Sequence, residues 1–162
     1  MYSEYRVIRK MAGDILMSSG MLSQTAYIQH GTVSVYAHCV SVAIMCLLIV
    51  RKLKLRVDER ALVRGALLHD YFLYDWHVPD KTHRLHGFTH PGTALRNASR
   101  DFELGDVEKD MIYCHMFPMT VTHVPRYRES VILCIADKIV ATREVIQDRR
   151  SKITRLLEGF VS

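Results

Sequence analysis

Apolar residues recur along this chain at steps of three and four, the spacing of one face of an α-helix. Val35, His38, Val42, Met45 and Ile49 form one such stripe, and Leu62, Ala66 and His69 form another. Met111 and Ile112 precede His115 by four and three residues, and Leu133, Cys134, Val140 and Ala141 flank Asp137 at helical spacing. This periodicity predicts helices near 4–18, 33–54, 58–72, 91–102, 106–116 and 128–147, with a last one toward 158. Asp58 reads as an N-cap with Glu59 in the first turn, and Pro91 as a first-turn residue with His90 just ahead of the helix. Gly105-Asp106 marks a break. No alternating strand pattern of useful length, internal repeat or low-complexity tract appears. The expectation is an all-α bundle forming one domain over 1–162, with long connections at 74–90 and 117–127.

Composition agrees with a globular enzyme: 162 residues, 49% hydrophobic and 24% charged, are enough for a full core. The net charge of +5 suits an anionic ligand, but the basic residues are spread along the chain. No basic helix carries interleaved aromatics of the kind that stack bases, so a nucleic-acid partner is not expected. Cys39, Cys46, Cys114 and Cys134 show no CxxC spacing and read as reduced thiols of a cytoplasmic protein. The N-terminal segment lacks the apolar run of a signal peptide. The apolar stretch 33–50 is interrupted by Ser34, His38 and Ser41, and its unbroken part, 42–50, is far shorter than the roughly 20 residues of a membrane span. It reads as a central helix, and no membrane association is expected.

The chemistry lies in which polar residues share the apolar faces. His38, His69, His115 and Asp137 each fall on a stripe that should be dry, and Asp70 stands at the inner edge of the His69 stripe. An ionised carboxylate buried without a partner costs several kcal/mol, and a divalent cation removes that cost. A lone histidine on an apolar face is an ordinary core residue. Several ligand-type residues on separate helices converge on a metal site instead. The long connections add His77, Lys81, His83, Arg84, His86 and His90, then His123, Arg126 and Arg128, a rim suited to phosphate.

The order His38, His69-Asp70, Asp137 resembles the HD superfamily of metal-dependent phosphohydrolases over roughly residues 30–146. The segments SVYAHCVSVA, ALLHDYFLYDW, HGFTHPGTAL and ILCIADKIVATRE are similar to the successive metal-site segments of small bacterial HD proteins. The ligand order is also similar to that of HD-type diadenosine tetraphosphate hydrolases. The resemblance implies two further ligands between the doublet and the last aspartate, His90 and His115, with His86 competing with His90. One departure stands at Leu73, where many members carry a lysine or an acid. Asp75 is the nearest substitute.

The resemblance thus implies six metal ligands: His38, His69, Asp70, His90, His115 and Asp137. Imidazole and carboxylate donors without thiolate suit two ions of Mn, Fe, Co, Ni or Zn. Asp70 would bridge them, His38, His69 and Asp137 would hold one, and His90 and His115 would complete the other. Asp70 and His69 then stand at the catalytic centre, and a metal-activated water is the expected nucleophile. His86, Arg126 and Lys138 are the candidates for binding a small phosphorylated substrate, a nucleotide ahead of other phosphoesters. Two rival readings are a one-metal phosphohydrolase, with His90 and His115 on substrate phosphate, and a non-catalytic HD domain that senses a nucleotide or partner. Substrate identity and oligomeric state do not follow from the residues.

Overall fold

The computed structural model describes residues 2–80 and 85–159; Lys81, His83 and Arg84 of the expected rim lie outside them. The element order is α1 (Tyr2–Leu16), α2 (Ser19–Ser23), β1 (Ile28–His30), β2 (Val33–Ser34), α3 (Val35–Leu53), α4 (Glu59–Leu68), α5 (His86–Asp101), α6 (Asp106–Cys114) and α7 (Arg128–Gly159). The chain is an all-α bundle with one small hairpin.

Helix α4 is the axis. Every residue from Ala61 to Leu68 is buried, because α4 packs on α1, α3 and α6 together. Asp58 caps it as its sequence implies, its Oδ1 accepting from the Ala61 amide at 2.9 Å. Gly65 lets α6 approach closely: a Cβ there would lie 2.6 Å from Met111 Sδ. Arg64, the charged residue of this buried run, spreads its guanidinium over Glu108 Oε1 (2.5 Å), the Glu103 carbonyl (2.8 Å) and Asp14 Oδ2 (3.2 Å).

Helix α3 is long and apolar enough, by length and composition, to cross a membrane. Here Val35, Val42, Cys46, Leu47 and Val50 are buried where α3 lies between α4 and α7. Ser34 caps its start, accepting from the Ala37 amide at 3.2 Å.

Four expectations are corrected. The helix through His69-Asp70 stops at Leu68 and does not reach 72. The Phe72 amide turns back onto the Asp70 carbonyl at 2.8 Å, and Leu73 takes a left-handed φ of 62°. Helix α5 begins at His86, which places His90 and Pro91 inside it. A first turn forms ahead of the proline because the Phe88 and Thr89 amides and the Thr89 hydroxyl all donate to the Leu85 carbonyl, at 2.8, 3.0 and 3.1 Å. The segments 128–147 and toward 158 are one helix of 32 residues, since no glycine or proline interrupts them before Gly159. Finally, β1 and β2 form an antiparallel hairpin too short to show alternation. It turns at Gly31, whose φ of 60° and close approach to Asp148 both exclude a side chain.

Candidate metal centre

Six side chains from five parts of the chain meet where α3, α5, α6 and α7 close around the end of α4. His38 lies in the second turn of α3, His69-Asp70 directly after α4, His90 in α5, His115 directly after α6 and Asp137 in α7. His38 and His69 are fully buried, and Asp70, His90 and His115 nearly so. The Asp137 side chain is 14% exposed and that of Lys138 43% exposed, so the cluster opens toward solvent on the α7 side.

Asp70 divides the group. Its Oδ1 lies 3.2 Å from His90 Nε2 and 3.4 Å from His115 Nε2. Its Oδ2 lies 3.4 Å from His69 Nε2 and 3.9 Å from His38 Nε2. Asp137 Oδ1 faces the second half, 3.2 Å from His38 Nε2 and 3.8 Å from His69 Nε2. In each half, one ligand atom from each of Asp70 and its two histidines lies within 4.8 Å of the others, close enough to surround one cation.

Tautomers test whether a cation fits. The Nδ1–H groups of His69, His90 and His115 donate to the Ala66, His86 and Ile112 carbonyls, at 2.8, 2.7 and 2.8 Å. A carbonyl only accepts, so each Nε2 of a neutral ring is a lone pair aimed inward. His90 Nε2 and His115 Nε2 nevertheless stand 2.8 Å apart, a separation that requires a positive charge between or upon them. His69 Nε2 and Asp70 Oδ1 are buried without any hydrogen-bond partner. Buried polar atoms are rarely left so, and a divalent ion in each half would engage them all. The residues fit a metal.

The electrostatics point the same way. Burial lowers the His69 pKa to about 4, which keeps its ring neutral. For Asp70, burial favours the acid, but the imidazoles of His69, His115 and His90 that face its two oxygens outweigh it and hold the carboxyl well below its ordinary value. Burial likewise opposes ionisation of Asp137, yet the His38 hydrogen bond and the surrounding imidazoles bring it to about 2. His38 loses stability as a cation on burial, but bonds to Asp137 and Glu144 raise its pKa to about 10. Ion-free, that ring is an imidazolium clamped between carboxylates.

Residues around the cluster hold it in place. Asn97 Nδ2 donates to the Tyr71 and Phe72 carbonyls, at 3.1 and 3.0 Å, and so straps the turn after Asp70 to α5. Leu73 packs on the core, so no charged group stands at that point of the loop. Asp75 is engaged with His77, accepting from its amide at 2.9 Å and pairing with its ring at 3.2 Å.

The three substrate-binding candidates have different fates. His86 stacks on His90 (4.6 Å between ring centres) and on Trp76 (5.1 Å), and its Nδ1 is 2.8 Å from the Tyr74 hydroxyl. Lys138 Nζ donates to the His115 carbonyl at 3.0 Å and lies 3.9 Å from Asp137 Oδ2, at the mouth of the cluster. Arg126 is placed differently: its backbone amide donates to Asp110 Oδ2 at 3.0 Å. The residue lines a hollow of about 390 Å³, with Lys109, Tyr113 and His123, whose lining includes none of the six residues.

Sequence reasoning missed Gln29, His30 and Glu144. Gln29 Nε2 donates to Asp70 Oδ2 at 2.6 Å, and His38 Nδ1 donates to Glu144 Oε2 at 2.9 Å. Glu144 carried a signal, since it stands seven residues, about two helical turns, after Asp137. Gln29 and His30 carried none.

A profile of the HD domain family matches residues 35–142, a stretch that contains all six clustered residues and excludes Gln29, His30 and Glu144. No curated protein and no solved structure matches the chain.

Proposed function

Since the chain belongs to the HD domain family, we propose that it is a metal-dependent phosphohydrolase acting on a nucleotide or another small phosphoester. The observation that carries this reading is the division of Asp70, whose two carboxylate oxygens face two separate pairs of inward-pointing imidazole nitrogens. His38, His69 and Asp137 with Asp70 Oδ2 would hold one ion, and His90 and His115 with Asp70 Oδ1 a second. The donors are nitrogen and oxygen without thiolate, which suits Mn, Fe, Co, Ni or Zn. When bound, such ions lower the proton affinity of water and offset negative charge on phosphate.

The chain's own residues do the rest. Asp70 sets the spacing between the halves, and Asn97 keeps its turn in register. The carbonyl-bound Nδ1 atoms hold three imidazoles in the tautomer that faces inward. Lys138 supplies a cation at the open side, where an anionic substrate would arrive, and His86 offers a ring edge beside His90.

The test pairs elemental analysis with a hydrolysis screen over mononucleotides, dinucleoside polyphosphates and cyclic dinucleotides. The expected result is bound transition metal and hydrolysis of at least one class, with Asp70→Ala losing both. Asp70→Ala retaining metal and activity overturns the assignment of this carboxylate. Metal bound without hydrolysis of any class overturns the enzyme reading in favour of a sensor.

A further inference from the structure

We propose that Glu144 is a positioning residue that fixes the ring of His38 for metal binding, an inference that rests on the metal reading above. Three of the four imidazoles take their orientation from a carbonyl three or four residues earlier in their own segment. His38 does not. Its Nδ1 donates to Glu144 Oε2 at 2.9 Å, across 106 residues of sequence. That bond leaves Nε2 as the atom facing Asp137 Oδ1 and Asp70 Oδ2.

Glu144 is only 7% exposed, and its Oε2 is directed at the buried ring of His38. It comes from the same helix as Asp137, two turns on, which means that α7 delivers both a ligand and the group that orients its neighbour. A ligating histidine characteristically donates its second N–H to an acceptor that sets its tautomer and raises its basicity. A carboxylate raises basicity more than a neutral carbonyl does. The Glu144 bond would therefore make His38 a stronger donor than a carbonyl partner would.

His30 presents the competing possibility, because His30, His38 and Glu144 also offer three ligand atoms within 4.8 Å of one another. A cation there would have to take Nδ1 of His38, the nitrogen already engaged by Glu144, while Nε2 faces the main cluster. The His30 ring instead meets His38 edge-on, with centres 5.6 Å apart and planes at 86°. That arrangement buttresses the ring.

The experiment compares the wild-type chain with Glu144→Gln and Glu144→Ala by zinc titration against a competing chelator, with metal-free melting curves as the control for folding. The expected result is a loss of zinc affinity of about 10- to 100-fold, larger for the alanine variant. Wild-type affinity in both variants overturns the proposal and leaves the metal reading intact, whereas a wild-type chain that takes up no zinc ends both. Should the variants not fold, nitrogen-15 spectra of zinc-loaded wild-type protein decide. The expected result is a proton on Nδ1 of His38 and zinc on Nε2, and the reverse assignment overturns the role of Glu144.

Discussion

Gln29 Nε2 donates to Asp70 Oδ2 across 2.6 Å, tying the short hairpin to the carboxylate at the centre of the cluster. The bond has an ionised acceptor and both residues are buried, the circumstance in which hydrogen bonds contribute most. Gln29→Ala should therefore cost the metal-free chain about 1.5–3 kcal/mol, read as a lower denaturant midpoint. An unchanged midpoint would show that Asp70 does not depend on the hairpin.

The pairing of His90 with His115 makes a second prediction. The 2.8 Å contact between His90 Nε2 and His115 Nε2 calls for a positive charge that a metal ion would supply, so manganese or zinc should raise the melting temperature of the wild-type chain. A ligand at a hundred times its dissociation constant contributes about 2.7 kcal/mol. His115→Ala should bind one ion fewer per chain and show a smaller rise. Equal metal content in the two proteins would remove His115 from the ligand set.

Gly65→Ala tests how far the site depends on helix packing. Alanine favours the helix by about 0.5–1 kcal/mol, but its Cβ meets Met111, and overpacking typically costs about 1–3 kcal/mol. The net effect should be destabilising. Because α6 leads into His115, the variant should also hold metal less tightly than wild type. Unaltered stability and affinity would mean that Met111 yields without moving α6.

Arg64→Ala separates folding from the site. Removing the guanidinium leaves Glu108 buried with the Gly105 amide as its partner but no counter-charge, a loss of up to about 3–5 kcal/mol visible in thermal melts. Below the melting transition, metal content per chain should stay at the wild-type value, since Arg64 touches none of the clustered residues. A parallel loss of metal would contradict that independence.

Helical faces made much of this readable from sequence. His38, His115 and Asp137 stand out because each interrupts an apolar stripe, and a buried polar group needs a partner that local pattern does not supply. The family resemblance brought in His90, although on a mistaken premise: Pro91 reads as a helix start, and the turn wound ahead of it on the Leu85 carbonyl is invisible to that rule. Gln29 was out of reach, because a strand of three residues shows no period. Glu144 was within reach of geometry but not of chemistry, since a glutamate in TREV looks like an ordinary solvated position. Arg126 shows what sequence leaves open. Charge in a long loop suggests a rim, whereas the backbone bond to Asp110 and the hollow that Arg126 lines are long-range features that charge alone does not reveal.

The bonds that complete the cluster join residues 99 and 106 positions apart, so α7 must dock before His38 acquires the carboxylates of Asp137 and Glu144. A chain in which α3 to α6 had assembled but α7 had not would offer the His90 and His115 nitrogens without the opposing wall. Ion capture at the His38 half would thus require the finished tertiary structure, and its rate of appearance during refolding would report the docking of α7.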